Sequence, residues 1–188
     1  MTEITEITDK GNSIPQPIEL FVLQWGDLGG SWGVNRSISQ IHAFLYLAES
    51  PLTADQIAVQ LDMARSNVSN SLRELLSWKL VRRIPIKGDR REHFEAEIDV
   101  WKIAMLIAAG RKSREIDPAL EALKQCTIAA DQDESVSKVA RQRLHAMLDF
   151  TNSVDHWYVQ MLSMSHAKRD IILRLGSKIA SFLPVGKK

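Results

Sequence analysis

From residue 53 to residue 98 the spacing of the apolar positions changes from helical to alternating, and each run defines an element. Thr53-Ala54-Asp55-Gln56 is a capping box, in which the threonine hydroxyl satisfies a free backbone N–H and Gln56 reaches back to the cap. Ile57, Ala58 and Leu61 then give a short helix its buried side. Asp62-Met63-Ala64 reads as a brief turn, after which Val68, Leu72, Leu75 and Leu76 recur at helical spacing and predict a second helix. Residues 81–86 and 92–98 alternate apolar and polar around Lys87-Gly88-Asp89-Arg90-Arg91, which predicts a hairpin with a turn at Gly-Asp. Upstream, Ile38, Ile41, Leu45 and Ala48 mark a helix entered through Asn35 or Ser37 as cap. Residues 17–28 form a further amphipathic helix, followed by the glycine-rich run Gly26-Asp27-Leu28-Gly29-Gly30-Ser31-Trp32-Gly33. That run lacks the Lys-Ser or Lys-Thr of a phosphate loop and no strand leads into it, so its glycines are expected to permit a tight bend or close helix packing.

Beyond the hairpin the pattern is helical throughout. A helix is expected over 99–109, a second opened by Asp117 as cap with Pro118 at its first position, and a long one from about residue 134. In the long helix Met147, Phe150, Val154, Trp157, Met161 and Met164 alternate steps of three and four, the seam of a coiled coil or bundle. Ile172, Leu175, Ile179 and Phe182 repeat the spacing before Lys187 and Lys188. The expected fold is mainly α: a winged helix-turn-helix of three helices and a small β-hairpin wing, with N- and C-terminal helices forming a helical dimerisation region. The expected divisions are an arm at 1–16, the first helix and glycine-rich bend at 17–34 as a dimerisation or ligand region, the winged helix at 35–98, and a helical dimerisation and effector region at 99–188.

The second helix of the module carries the candidate chemistry. Residues advance by about 100 degrees along a helix, so Ser66, Asn70 and Arg73 share a stripe opposite the leucines, with Asn67 and Ser69 on its shoulders. Asparagine can contact adenine in bidentate fashion, arginine can do so to guanine, and serine suits a base edge or a phosphate. Serine and asparagine are mediocre helix formers, so their density from Ser66 to Ser71 calls for a reason, and double-stranded DNA in the major groove supplies one. Charge agrees: residues 64–91 hold eight basic residues (Arg65, Arg73, Lys79, Arg82, Arg83, Lys87, Arg90, Arg91) against two acidic ones (Glu74, Asp89), a balance of +6 in a chain whose total is +1. Basic charge gathered at a groove helix and wing tip is the footprint of phosphate binding.

With those residues in hand, the chain resembles the MarR superfamily of bacterial transcription regulators, and the run from Ile18 to about Arg114 resembles its GbsR-like branch. The resemblance rests on Leu52-Thr53 with Ile57-Ala58 and Leu61, on Ser66-Asn67-Val68-Ser69, on Leu72-Arg73-Glu74-Leu75, on Leu80-Val81-Arg82, and on the run Gly88-Asp89-Arg90-Arg91-Glu92-His93-Phe94. It implies that Arg65 to Arg73 enter the major groove and that Arg90 or Arg91, with Lys87 beside them, reach the backbone or a minor groove. It also implies a homodimer built from N- and C-terminal helices, a palindromic operator and repression by occluding polymerase. Some GbsR-like proteins respond to choline-type quaternary ammonium compounds, so a small-molecule effector belongs to the expectation, with Trp25 and Trp32 as candidate lining residues. Two departures stand out. The family has Ser or Thr at the cap of the recognition helix, where this chain has Ala64, so capping falls to Asp62 or is weak. The family has Gly just after that helix, where this chain has Lys79; a left-handed cap would be strained there, so a different turn into the wing is expected.

Composition narrows the classes. At 188 residues and 45% hydrophobic content the chain can bury one ordinary core, or a small one plus an oligomer interface. No stretch is long enough to span a membrane, and the polar, acidic start contrasts with a signal peptide, so a cytoplasmic protein is expected. The single cysteine, Cys126, excludes an internal disulfide framework and a cysteine-based zinc site. Its spacing between Leu123 and Ala130 predicts a small buried residue, while the resemblance offers a redox switch instead. The five histidines (His42, His93, His145, His156, His166) neighbour no plausible nucleophile, and only His145 with Asp149 stands at metal-ligand spacing, where a surface salt bridge is expected. No enzyme, metal or cofactor is therefore expected. The alternative from another class is a winged helix that binds protein, against which the absence of outward aromatic or aliphatic anchors from Ser66 to Arg73 argues.

Overall fold

Leucine and isoleucine spacing places a three-helix core where the chain needs one, and short polar caps fix where its helices start. The computed structural model of the chain describes residues 14–182, with side chains as far as Leu175. The expected arm at 1–16, the side chains of Ile179 and Phe182, and Lys187 and Lys188 thus lie wholly or largely outside the described residues. The chain divides into two compact units between Ile103 and Ala104.

The first unit contains α1 (Gln16–Ser31), α2 (Arg36–Leu47), β1 (Leu52–Thr53), α3 (Ala54–Gln60), α4 (Arg65–Ser77), β2 (Val81–Ile84) and β3 (His93–Ala96), and α5 (Val100–Arg111) begins within it. Asn35 caps α2 by accepting from the Ser37 N–H at 2.8 Å. The Thr53 capping box forms as expected, with the Gln56 N–H on Thr53 Oγ1 at 3.2 Å and the Thr53 N–H on Gln56 Oε1 at 2.8 Å. Ile38, Ile41 and Leu45 of α2, Ile57 of α3 and Val68, Leu72 and Leu75 of α4 close the core together with Leu80, Val81 and Phe94. The sheet order is β1-β3-β2, antiparallel, with Leu52 opposite Phe94 and Val81 opposite Ala96. The wing strands are shorter than the alternation predicts. β1 escaped prediction because two residues carry no period; only pairing with β3 makes them a strand.

The glycine-rich run bends only at its last glycine. α1 continues through Gly26, Gly29 and Gly30 to Ser31 and ends before Gly33, whose φ of 76° turns the chain. Close packing is what the glycines provide. A Cβ on Gly29 would fall 1.9 Å from Ser39 Oγ and 2.6 Å from Ser39 Cβ, and one on Gly26 would fall 2.5 Å from Gln40 Cγ. A Cβ on Gly30 would meet nothing within 4 Å. Gly29→Ala should therefore destabilise by about 1–3 kcal/mol, the range for overpacking, whereas Gly30→Ala should stabilise by up to about 1 kcal/mol through helix propensity alone. Urea unfolding of the two variants checks this; equal shifts would mean that α1 does not seat on α2 at Gly29.

Two left-handed residues end helices. Asp62 (φ 49°) follows α3 and Lys79 (φ 59°) follows α4. Around Lys79 the N–H of Leu80 bonds the Leu75 carbonyl and the N–H of Lys79 bonds that of Leu76, both at 3.0 Å, which is the Schellman arrangement. The expectation of a different turn is thus corrected: the glycine-type turn is kept, and lysine bears the left-handed conformation because Leu80 on its far side is buried in the core. Removing the Cβ clash in Lys79→Gly should stabilise the unit by about 1 kcal/mol, read as a raised urea midpoint.

In the second unit, α5 runs through a π turn (Lys112–Ile116) into α6 (Asp117–Gln132), followed by α7 (Lys138–Ser163) and α8 (His166–Phe182). Asp117 is not the helix cap expected of it. Its backbone is already helical, and its N–H bonds the Lys112 carbonyl at π spacing directly before Pro118, which cannot donate to the preceding turn. The Asp117 carboxylate instead meets Lys112 Nζ at 2.5 Å, and Asp155 of α7 meets the same ammonium at 2.6 Å. Ser137 caps α7, accepting from the Ala140 N–H at 3.2 Å. Met164 has extended backbone angles and ends α7, so it does not continue that helix's seam.

Cys126 is exposed, against expectation. Steps of three and four from Leu123 reach both Cys126 and Thr127, and the buried one is Thr127, whose hydroxyl finds the Leu123 carbonyl at 2.8 Å and so loses nothing by burial. His145 pairs with Asp131 of α6 at 3.1 Å rather than with Asp149.

Candidate nucleic-acid interface

α4 begins at Arg65 without a side-chain cap at Ala64, so the substitution at this position costs the helix its usual first hydrogen bond and Asp62 does not replace it. Val68, Ser71, Leu72 and Leu75 point into the core. Ser66, Asn70 and Arg73 are exposed on the opposite side. The shoulder residues are placed differently from the stripe. Asn67 donates from Nδ2 to Ser37 Oγ of α2 at 3.0 Å and accepts from Ser71 Oγ at 3.5 Å. Arg65 donates to Asp55 of α3 and to Ser69 Oγ, while the Ser69 hydroxyl donates to the Arg65 carbonyl at 3.0 Å. Three of the sequence-predicted contacts, Arg65, Asn67 and Ser69, are thus engaged within the unit and brace α4 against α2 and α3.

In the wing, Gly88 at φ 89° makes the turn, helped by the Asp89 N–H on the Ile86 carbonyl at 3.1 Å. Asp89 accepts from the Arg91 N–H at 2.9 Å and from its guanidinium at 2.5 to 3.0 Å. The side-chain hydrogen bond from Arg91 holds the Asp89 carboxyl far below the usual carboxylate range and raises Arg91 in turn. His93 is buried beneath this pair, with Nδ1 on the Arg91 carbonyl at 3.1 Å and Nε2 3.5 Å from Asp89. Lys87 and Arg90 stand exposed on either side of the turn.

The basic concentration is weaker than the window 64–91 suggests. Arg65 pairs with Asp55, Arg82 with Glu95 at 2.6 Å and Arg83 with Glu92 at 2.7 Å, and these acids lie just outside the window. Extending it to 55–95 adds Asp55, Asp62, Glu92 and Glu95, and the balance falls from +6 to +2. Among the described residues, Arg73, Lys79, Lys87 and Arg90 remain without an acidic partner. One further cation belongs to the surface that sequence reasoning assigned only to general charge: Arg83, with Arg65 and Arg73, lines a recess of about 180 Å³ between α4 and the wing strands. Alternation along β2 puts Arg83 on the same face as buried Val81, and only the packing of α4 on the wing puts it beside Arg73.

The other expected sites are dispersed. Trp25 stacks on Phe21 with ring centroids 5.5 Å apart, and Trp32 is exposed just past the end of α1. Of the expected dimerisation residues, Met147, Phe150, Trp157, Ile172 and Leu175 are exposed, and Val154, Met161 and Met164 are half-buried. Trp157 and Tyr158 meet edge to face with centroids 5.5 Å apart.

Residues 32–92 match the model of the MarR family. The chain is 22% identical over 152 residues to the HTH-type transcriptional repressor GbsR of Bacillus subtilis (strain 168), an alignment covering 77% of this chain and 83% of that protein. A crystal structure of a transcriptional regulator superposes with a TM-score of 0.53 at 20% identity, covering 78% of this chain and 95% of that one. An S. aureus MepR mutant bound to an oligodeoxyribonucleotide matches at 18% identity over 73% of this chain and 89% of its own, with a TM-score of 0.36 that adds nothing to the fold assignment. No helix among the described residues is long and apolar enough to cross a membrane. The family match over the helix-turn-helix and wing and the alignment along most of a curated relative agree with the helical order seen in the structure: residues 32–92 carry a MarR-family winged helix, and the chain is similar along most of its length to the transcriptional repressor GbsR.

Proposed function

We propose that the protein acts in the cytoplasm as a homodimeric repressor, reading a palindromic operator with one α4 in each of two successive major grooves. The observation that carries this reading is the division of labour on α4. Ser66, Asn70 and Arg73 face solvent while Arg65, Asn67 and Ser69 make contacts inside the unit. A helix held rigidly by its shoulders, with a bare stripe of small polar groups and one arginine, suits base-edge contacts. Lys87 and Arg90, exposed and without an acidic partner among the described residues, suit the flanking backbone. A two-fold dimer spaces its recognition helices by about 34–36 Å, one turn of DNA.

The dimer is proposed to form through the apolar residues of α7 and α8. Met147, Phe150 and Trp157 leave more than half their surface in solvent, and Ile172 and Leu175 nearly half. Val154 and Met161 would flank them, with Met164 at the break between the two helices and Ile179 continuing the sequence pattern. Repression follows from an operator that overlaps the polymerase site, and a small molecule that favours one placement of the two modules would shift operator affinity by its differential binding energy.

Selection from random duplexes at near-physiological salt should enrich a palindrome. On that sequence Arg73→Ala and Asn70→Ala should each cost about 1–3 kcal/mol of specific affinity. Arg90→Ala with Arg91→Ala should weaken binding to every sequence and flatten its salt dependence. Because Asp89 already holds Arg91, Arg90 should account for most of the second effect. Selection without enrichment, or Arg73→Ala without loss of specificity, would reject the groove assignment for α4.

A further inference from the structure

The first unit contains a second cavity, separate from the recess beside Arg73. It has a volume of about 270 Å³ and lies where α1 and its lead-in (Ile14, Glu19, Val22, Leu23), α2 (Gln40) and the end of α3 with its turn (Gln60–Met63) meet. Gln40 is 8% exposed, has no hydrogen-bond partner among the described residues, and lines the cavity. Its amide atoms are not among the fully enclosed, unpartnered ones, so the carboxamide keeps its hydrogen-bonding capacity open at the cavity wall for a ligand. The molecule also makes room for this side chain: Gly26 of α1 stands where a Cβ would press on Gln40 Cγ at 2.5 Å.

The chemistry of the lining selects the ligand. Glu19 and Asp62 bring two carboxylates, Gln40 brings an amide oxygen, and Val22, Leu23, Leu61 and Met63 bring apolar surface. No lysine, arginine or aromatic ring is among the described residues that line it. Carboxylates and an amide oxygen accept hydrogen bonds from an N–H-bearing cation, whereas a quaternary ammonium, which has none to donate, depends on aromatic faces. The volume equals roughly nine waters. We propose that this cavity binds a small protonated primary amine, its ammonium held by Glu19, Asp62 and Gln40 and its alkyl chain laid against Val22, Leu23, Leu61 and Met63.

The position gives the ligand a consequence. Asp62 and Met63 form the turn that leads into α4, and Glu19, Val22 and Leu23 belong to α1. A ligand bridging them ties the start of the recognition helix to α1, and by linkage it changes DNA affinity by the same factor as DNA changes its own. That regulatory step rests on the DNA-binding reading of α4; binding of the amine does not.

Calorimetry on the full chain without DNA tests the site, with n-pentylamine, 1-pentanol and pentyltrimethylammonium as matched probes at neutral pH. The expected result is one pentylamine per chain, bound at least tenfold more tightly than either other probe. Glu19→Gln combined with Asp62→Asn should weaken pentylamine at least tenfold; asparagine tolerates the left-handed backbone at residue 62. Equal binding of the alcohol or the quaternary ion by the native chain overturns the proposal, as does full affinity in the double variant. With binding established, operator affinity with and without pentylamine reads the regulatory step, and no change there rejects regulation while leaving the site.

Discussion

Phe150→Glu with Trp157→Glu is expected to turn the protein into a monomer and to lower operator affinity at least a hundredfold. Both side chains lie on α7, two turns apart, with 68% and 56% of their surface exposed in the single chain. Surfaces of this kind rarely stay in water unless they meet a partner, and α7 has no buried residue among those described. Charges placed there should leave α7 folded, since both side chains are mostly exposed and the ring contact of Trp157 is with its own neighbour Tyr158, yet they would have to be buried unpaired in a dimer, which is costly. A monomer presents one recognition helix, and the difference between specific and non-specific binding, typically ~10³–10⁷-fold, depends on both half-sites. Sedimentation should show the halved mass, and DNA titration the lost affinity, with circular dichroism unchanged. A dimer that persists in the double variant would move the interface elsewhere, with α1 and its exposed Leu20, Leu23 and Leu28 the next surface to test.

The second large effect is on stability in acid. Burial in α2 holds His42 down to about 4 from its ordinary value of 6.5, because the imidazolium would lose its hydration. Its Nε2 is enclosed without a hydrogen-bond partner. Below pH 6.5 the unfolded chain takes up a proton that the folded chain refuses, so stability is fully present above that pH. It falls as pH drops through 6.5 and levels off near 4. The depression corresponds to about 3 kcal/mol over that window. Carboxylates held low, such as Asp89 and Glu97, act in a separate, more acidic window, since their stabilisation is lost only as pH falls below their ordinary values. Urea midpoints at pH 7.5 and 4.5 should therefore differ markedly in the native chain and much less in His42→Leu, which has no proton to bind and no orphaned nitrogen. A slope unchanged by His42→Leu would assign the acid sensitivity to other groups.

Much of the winged helix was legible because its rules are local. The Thr53 box depends on residues three apart, the core face of α4 on a period of 3.6, and the wing turn on Gly88, so neighbours in sequence sufficed. Lys79 was legible only halfway. Strain at a left-handed lysine is a local fact, but whether the chain evades it depends on Leu80, and burying Leu80 outweighs the strain. The site shows the same limit. Helical geometry places Ser66, Asn70 and Arg73 together, yet no spacing rule reveals that Asn67 turns to Ser37, thirty residues away, or that Arg65 is held by Asp55. The charge count failed for a related reason: the acids that neutralise Arg82 and Arg83 lie across the hairpin on β3 and its approach, outside the stretch that was summed.

By itself the sequence determined the order of helices and wing, the buried face of each helix in the core, and the exposed polar stripe on α4. These follow from backbone periodicity and capping, which act over a few residues. Tertiary structure alone decided that Gly26 and Gly29 serve packing against α2 rather than a bend, that Thr127 rather than Cys126 is buried, and that α5 passes into α6 through a π turn. It also decided that an unbonded Gln40 lines a cavity beside the turn into α4. Each of these depends on which surfaces meet. Residues distant in the chain become neighbours only when the core closes, and whether a side chain is stabilised, strained or left unpaired is settled by what it then touches.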